Sequence, residues 1–296
     1  MYRLDFFSTP DILVLNKDII QENIMLNENQ ITAYLERIGC ADSRAVSKEN
    51  LFRLQKGHLA AVPYTNLTIY QTKQEPPLCT EALFEKIVLK RMGGYCFELN
   101  GLFAELLRSL GYEVAEYFAR WHFGESDPVP MRRHRVLKVT CPDGVFVVDA
   151  GVGCLCPTTP LDFEFNTPQQ RNVRRYRLIR DAQLGIVVQT ETAEGFVNYF
   201  SFTEDPHFPQ DFNYVNYYCS REPSSPFRSK FMMHRLTDEF QYSIEAPVPP
   251  EKHRAFCIRK SCDNTCERTP IPDPTALQKI LAENFGIVCL MDDLPE

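Results

Sequence analysis

The sequence has no apolar run long enough to cross a membrane. No stretch of its 296 residues approaches the roughly 18 consecutive apolar residues that a membrane-spanning helix needs. The first seven residues, Met-Tyr-Arg-Leu-Asp-Phe-Phe, also lack the basic region and the continuous apolar core of an export signal. We therefore expect a cytoplasmic location and no association with a membrane.

Clustered positive charge is also missing. Lysine and arginine number 32 against 39 aspartates and glutamates, which gives a net charge of -7 and an isoelectric point near 5.5. The one basic stretch, residues 171–180, is interrupted by Asn, Val, Tyr, Leu and Ile, as in an exposed strand. A nucleic-acid-binding face needs grouped lysines and arginines, so we expect no nucleic-acid partner.

The eleven cysteines include no paired Cys-x-x-Cys motif of the kind that holds structural zinc. An odd number of cysteines without an export signal indicates free thiols rather than a disulfide framework. Two groups could in principle bind a metal, namely Cys154 with Cys156, and Cys257 with Cys262 and Cys266. Because their spacing does not match the usual zinc patterns, we expect no metal site and no permanently bound cofactor.

No repeat and no Gly/Ser-rich or Pro-rich linker divides the chain, so its regions should pack as one body. Hydrophobic residues make up 44%, enough for a large core. Up to about residue 110 the apolar positions recur at helical spacing, with Ser47 and Thr80 as candidate caps. Strand-like runs follow from residue 112 to about 218, and Asp273 with Pro274 should begin a final helix. The pattern predicts a helical lobe followed by a β-barrel or sheet.

What the sequence does contain is a cysteine at a predicted helix start. Residues 91–100 read Arg-Met-Gly-Gly-Tyr-Cys-Phe-Glu-Leu-Asn, and apolar positions at helical spacing follow as far as Gly111. Free backbone N–H groups and the positive end of the helix dipole favour a thiolate at such a position. Cys96 is therefore a candidate nucleophile.

Two candidate partners lie on a predicted β-hairpin. His134 begins one strand-like run, Asp149 ends the next, and Cys-Pro-Asp-Gly joins them as a turn. If Thr140 lies opposite Val145, the imidazole and the carboxylate share one face and lie diagonally across the hairpin, about 7–8 Å apart between backbones. A register shifted by one residue would separate them. Cys96, His134 and Asp149 are thus predicted to form a catalytic triad.

At this point the sequence resembles the arylamine N-acetyltransferase family. Residues 62–67 (Val-Pro-Tyr-Thr-Asn-Leu) are similar to the family's Val-Pro-Phe-Glu-Asn-Leu, and residues 93–100 are similar to its nucleophile segment. Residues 148–153 (Val-Asp-Ala-Gly-Val-Gly) resemble its Val-Asp-x-Gly-Phe-Gly. Further similarity covers residues 211–216, 223–227 and 282–287, so the resemblance runs from about Leu26 to the end.

The resemblance implies an α+β fold with an N-terminal helical lobe, a central β-barrel, a C-terminal α/β lid and a papain-like Cys-His-Asp core. The expected division is an extension of unknown role (1–25), a helical domain with the nucleophile (26–111), a β-barrel domain with His134 and Asp149 (112–220) and the lid (221–296). Separately from the resemblance, we expect either a monomer or a homodimer.

The chain departs from the family pattern at several positions. Met92 and Thr65 stand where the family usually has an Arg and a Glu that pair with each other. Because both charged residues are absent here, neither is left as an unpaired buried charge. Val152 replaces the Phe of Gly-Phe-Gly, and Tyr64 replaces the Phe of Val-Pro-Phe. The resemblance places Val152 and Gly153 at the CoA site, and Tyr64 and Val152 at the acceptor site.

The implied activity is acetyl transfer in two steps, as in xenobiotic metabolism. Cys96 accepts an acetyl group from acetyl-CoA as a thioester, and an arylamine, hydrazine or arylhydroxylamine then takes it. Two alternatives remain open at this stage. One is an amide synthase of a biosynthetic pathway that uses a carrier-bound acyl chain, and the other is a cysteine hydrolase with the same triad.

Overall fold

The computed structural model describes residues 25–153, 156–205, 207–245, 254–260 and 265–287. The predicted extension of residues 1–25 therefore lies almost wholly outside the described part of the chain, as do Cys154 and Cys262 of the cysteine groups considered above. None of the helices within the described ranges is both long enough and apolar enough to cross a membrane.

Helices dominate the chain up to Ser109. The first two are α1 (Glu28–Arg37) and α2 (Lys48–Ala61), and α3 (Leu67–Thr72) follows a short strand β1 (Tyr64–Thr65). Next come α4 (Thr80–Phe84), which continues as a wider π-type turn (Glu85–Leu89), and α5 (Cys96–Ser109). The Ser47 hydroxyl accepts a hydrogen bond from the Asn50 N–H, so this predicted cap is confirmed. The Thr80 cap is wrong, because Cys79 holds the cap position and Thr80 begins the helix.

The central part of the chain is an eight-stranded antiparallel sheet in the order β5-β4-β3-β2-β9-β8-β7-β6. Its strands are β2 (Glu113–Trp121), β3 (His134–Cys141), β4 (Gly144–Val148), β5 (Leu161–Asp162), β6 (Gln169–Arg171), β7 (Arg174–Asp181), β8 (Gly185–Thr192) and β9 (Gly195–Phe202). The edge strands approach each other, since the Gln169 amide exchanges two hydrogen bonds of 2.8 Å with the Asp162 backbone. The sheet is thus nearly closed into a barrel.

The last part of the chain adds helices and a second sheet. The helices are α6 (Phe212–Arg221), α7 (Pro226–Ser229) and α8 (Pro274–Ile280), the last continuing as a π-type turn (Leu281–Phe285). The five-stranded sheet runs β1-β10-β11-β12-β13, with β10 (Met233–Leu236), β11 (Phe240–Glu245), β12 (Arg254–Lys260) and β13 (Cys266–Ile271). Asp273 accepts from the Ala276 N–H, which confirms the predicted start of the final helix.

The hairpin that positions the candidate triad has the predicted register. Thr140 lies opposite Val145, and the pairing continues to Leu137 opposite Val148. Apolar residues of β3 and β4 share one buried cluster with the apolar face of α5. Because this cluster clamps the helix against the hairpin, the start of α5 is fixed beside the start of β3.

The expectation of free thiols is confirmed for six cysteines in the described part of the chain and is wrong for one pair. The structure joins Cys257 and Cys266 by a disulfide, with their Cα atoms 6.4 Å apart. The two residues lie on the paired strands β12 and β13. Only this pairing brings them within bonding distance, and the spacing of cysteines along the chain does not reveal it.

Candidate active site

Cys96 is the first residue of α5, directly after a tight turn. Gly93 has φ +72°, and a Cβ there would lie 2.3 Å from the Pro63 carbonyl oxygen. The Glu98 carboxylate accepts from the Tyr95 N–H at 3.1 Å and from Lys86 Nζ at 2.6 Å. Only glycine fits the turn, and the buried carboxylate fixes the first turn of the helix. The thiol therefore has a defined position at the helix start.

His134 and Asp149 form the second half of the site. His134 Nε2 lies 2.7 Å from Asp149 Oδ2, and both side chains are buried. A carboxylate oxygen only accepts, so Nε2 carries the hydrogen and Nδ1 remains available as a proton acceptor. Cys96 Sγ lies 3.7 Å from the carbonyl oxygen of Arg133, the residue just before His134. The structure thus brings the three predicted residues to one place.

Asn100 holds the carboxylate in position. Its Nδ2 donates to Asp149 Oδ1 at 2.8 Å, and its Oδ1 accepts from the Ala150 N–H at 2.8 Å. The Gly151 N–H donates to the same Asp149 oxygen at 3.0 Å. Asn100 lies one helical turn after Cys96, so one side chain connects the nucleophile helix to the strand that ends at Asp149. Asn100 belongs to the motif at residues 93–100, but no local sequence pattern assigns it this role.

The surroundings of Cys96 oppose a free thiolate. Burial raises the pKa of the Cys96 thiol well above its ordinary value, and the nearby Cys219 thiol and Asp149 carboxylate act in the same direction. Hydrogen bonds from the Arg135 and Phe97 backbone lower the pKa, but by less. The helix start is therefore not sufficient to ionise the thiol. A nearby base, the imidazole of His134, is needed to take its proton.

Arg135 is buried, although arginine side chains ordinarily lie at the surface. Its guanidinium pairs with Glu116 and donates to the Phe97 carbonyl oxygen at 2.9 Å. It also lies 4.2 Å from the centre of the Phe212 ring. A buried charge with this many partners connects β2, β3, α5 and α6, and so supports the strand that begins at His134.

The site opens into a cavity of about 310 Å³. Cys96 and His134 lie in its wall with the three predicted pocket residues Tyr64, Val152 and Gly153. Other wall residues, which no sequence pattern predicted, include Trp121, Glu125, Arg133, Phe227, Lys230, Met232 and His234. The Trp121 ring also packs edge-on against His134, with centroids 5.7 Å apart. The wall is therefore largely apolar around the candidate nucleophile.

Thr65 and Met92 do not leave an unpaired charge at their own positions. The Thr65 side chain is buried, and its hydroxyl accepts from the Leu67 N–H at 3.1 Å.

Among the described residues, no group of His, Cys, Asp and Glu is arranged to hold a metal ion.

A buried cysteine at a helix start, beside a histidine and an aspartate on an antiparallel sheet, defines the papain-like class of cysteine-dependent enzymes. The N-acetyltransferase family model matches residues 48–293. The arylamine N-acetyltransferase of Mycobacterium tuberculosis is 30% identical over 261 residues, which are 87% of this chain and 89% of the relative. The chain belongs to the arylamine N-acetyltransferase family and is an acyltransferase.

Solved structures agree with this assignment. The arylamine N-acetyltransferase of Salmonella typhimurium superposes with a TM-score of 0.81 at 27% identity, covering 91% of this chain and 97% of that one. The Mycobacterium marinum arylamine N-acetyltransferase in complex with CoA gives a TM-score of 0.78 at 29% identity, covering 89% and 96%. The expected α+β fold with a papain-like core is confirmed.

Proposed function

We propose that this enzyme moves an acetyl group from acetyl-CoA through a thioester on Cys96 to an arylamine, hydrazine or arylhydroxylamine. The observation that carries the proposal is the buried set of Cys96, His134 and Asp149, of which Cys96 and His134 line a largely apolar cavity. The relatives are named arylamine N-acetyltransferases, that is, enzymes that transfer an acetyl group to arylamines. The CoA complex of one structural neighbour supports acetyl-CoA as the donor.

In the first step, His134 Nδ1 takes the proton of Cys96 as sulfur attacks the acetyl carbonyl carbon. The new C–S bond to Cys96 forms, and the C–S bond to CoA breaks. The proton on the imidazolium then moves to the departing CoA sulfur, so His134 returns to its neutral form. Asp149 holds the imidazole through Nε2 and stabilises the imidazolium between these events.

In the second step, the amine nitrogen attacks the thioester carbon. His134 accepts a proton from this nitrogen while the bond to Cys96 sulfur breaks, and the thiolate then recovers the proton. The amide product leaves with the acetyl group. Attack of water on the same thioester carbon would instead give hydrolysis. The apolar wall around Cys96 favours an aromatic amine over water.

We also propose roles for the remaining predicted residues. Val152 and Gly153 contact CoA, and Tyr64 and Val152 contact the acceptor, because all of them line the cavity that contains Cys96. The predicted division at residues 26–111, 112–220 and 221–296 follows the change from helices to barrel to second sheet, and we retain it as a proposal.

Steady-state kinetics test the proposed function. With acetyl-CoA and an aniline varied together, double-reciprocal plots should be parallel, because CoA leaves before the amine binds. Free acetate should form slowly compared with acetylated amine. Fast acetate release without amine transfer would instead indicate a hydrolase. A carrier-bound acyl chain that acylates Cys96 when acetyl-CoA does not would indicate an amide synthase.

The size of residue 152 should set the ranking of acceptor amines. Valine leaves more room than phenylalanine, so relative to Val152→Phe the unmodified enzyme should favour bulky para-substituted anilines over small ones. The effect should be on the order of 1–3 kcal/mol in kcat/KM, a changed ranking with the chemistry intact.

Val173→Phe is the matched control, because Val173 lies on an exposed turn outside the cavity. It should leave the ranking unchanged. Equal rankings for the unmodified enzyme and Val152→Phe would show that residue 152 does not line the acceptor site.

A further inference from the structure

Arg133 brings a positive charge to the cavity that contains the candidate nucleophile. Its carbonyl oxygen lies 3.7 Å from Cys96 Sγ, and the residue lines the cavity. It directly precedes His134, the first residue of β3. The same strand start that places the triad imidazole therefore places a guanidinium beside it, and the mechanism makes no use of this charge.

The Arg133 guanidinium has hydrogen-bonding capacity that a molecule in the cavity can reach. An arginine has five N–H donors. Within the described part of the chain the guanidinium has one partner, Glu125, whose Oε1 lies 3.3 Å from Nη2. The Arg133 side chain is 19% exposed, and none of its nitrogen atoms is both buried and unpaired. The remaining donors are thus open to a ligand.

The side chains in the cavity wall carry a net positive charge. Arg133 and Lys230 are both in the wall, and Glu125 is the one acidic residue among the described residues that line it. Lys230 forms no ion pair with any described residue, whereas Glu125 can neutralise only one of the two cations. An anionic group that enters the cavity is therefore attracted.

The guanidinium lies on the side of the cavity where α5 begins. Burial raises the pKa of the Cys219 thiol to about 12, and the charge of Arg133 opposes this shift. Cys219 belongs to the same buried cluster as Cys96. Because the Arg133 carbonyl oxygen is 3.7 Å from Cys96 Sγ, standard bond lengths keep the guanidinium within about 12 Å of that sulfur in any rotamer.

We propose that Arg133 is a specificity-determining residue that pairs with a carboxylate on the ring of the acceptor amine. The inference rests on the proposed function, since it concerns the second step of that reaction. The acetyl group is neutral and CoA has left before the amine binds, so the acceptor supplies the anion. With its nitrogen at the thioester carbon, a meta- or para-aminobenzoate places its carboxylate roughly 6–9 Å from the sulfur, within reach of the guanidinium.

The experiment compares acceptors of nearly equal shape that differ in charge, using isolated acetyl-enzyme. The pairs are 4-aminobenzoate with 4-aminobenzamide, and 3-aminobenzoate with 3-aminobenzamide. In Arg133→Gln the ratio of second-order rate constants, acid over amide, should fall roughly tenfold or more in at least one pair, the effect of losing a hydrogen bond to a charged group. Arg133→Lys keeps the charge without the planar fork and should retain part of the preference.

Glu125→Gln distinguishes a substrate partner from a purely structural ion pair. The Glu125 carboxylate competes with the substrate for the guanidinium, so its neutral variant should raise the ratio severalfold. If the pair only held the loop between β2 and β3 in place, Arg133→Gln and Glu125→Gln would affect acid and amide alike. An unchanged ratio in both variants would therefore contradict the inference.

The neighbouring arginine provides the matched control. Arg132 hydrogen-bonds the Thr203 hydroxyl at 3.1 Å and is not part of the cavity wall. Arg132→Gln removes the same charge from the adjacent position. It should leave both ratios unchanged.

Formation of the acetyl-enzyme separates this inference from the proposed function. If the unmodified enzyme forms none, the proposed function fails. If it forms and Arg133→Gln keeps both ratios, the inference is wrong. A fall in the ratio with Lys230→Gln but not with Arg133→Gln would also overturn it. So would a raised KM for acetyl-CoA in Arg133→Gln with unchanged ratios, because Arg133 would then bind CoA.

The unmodified enzyme provides a test that does not depend on a folded variant. For at least one of the two pairs, the ratio of acid to amide on the enzyme should exceed the ratio with a small thioester in solution roughly tenfold. Equal ratios on and off the enzyme for both pairs would contradict a carboxylate partner in the cavity.

Discussion

Cys96→Ser is expected to reduce acetyl transfer by roughly a thousandfold or more, because a hydroxyl is a far weaker nucleophile than a thiolate. Burial, which already raises the pKa of the thiol, penalises an alkoxide even more strongly. The variant should remain folded, since serine is close to cysteine in size. The measurement is the initial rate of amine acetylation at saturating acetyl-CoA, with circular dichroism as the check on folding.

Cys79→Ser is the matched control. Cys79 is an exposed free thiol at the start of α4, where serine is also a good cap. Its replacement should leave the rate unchanged. Residual activity of Cys96→Ser near that of the unmodified enzyme would place the nucleophile elsewhere.

His134→Gln should lower the rate of acetyl transfer roughly a thousandfold. The double variant His134→Gln with Asp149→Asn should lower it by about the same factor. Asp149 acts through the imidazole, to which it is joined by a 2.7 Å hydrogen bond, so removing it adds little once His134 is gone. The rates of the two single variants and the double variant give the comparison. Losses that multiply would show that the two residues act independently.

Alkylation of Cys96 by iodoacetamide distinguishes the effect of burial on the thiol pKa from the effect of His134 as a base. In the unmodified enzyme His134 takes the proton, so alkylation should proceed at neutral pH. In His134→Gln the thiol must ionise unaided, and its pKa is raised. The thiolate fraction then grows only as the pH rises toward this higher pKa, so alkylation should be slow at neutral pH and should increase with pH. A variant that is alkylated at the rate of the unmodified enzyme at neutral pH would contradict this account.

The parts of the site that the sequence predicted are those set by local signals. The apolar spacing after Cys96 and the glycines before it specify a helix start. The Cys-Pro-Asp-Gly turn between strand-like runs specifies the hairpin and its register, which places His134 and Asp149 on one face. Each of these features depends on neighbours within a few residues.

Features that depend on distant pairings were not predicted. His234 reaches the cavity only because β10 pairs with β1, and no local pattern marks it. Arg135 is buried because Glu116 on the adjacent strand offers a partner. The disulfide between Cys257 and Cys266 needs two paired strands. The raised pKa of Cys96 comes from burial by the whole fold, whereas the local sequence pattern shows only that a helix starts there.

The most direct test of the central claim is the intact mass of the enzyme after incubation with acetyl-CoA and no amine, followed by peptide mapping. We expect the mass of one added acetyl group, located on Cys96 and lost when an aniline is added. An unchanged mass, or an acetyl group on Cys154, Cys156 or any other residue, would contradict it.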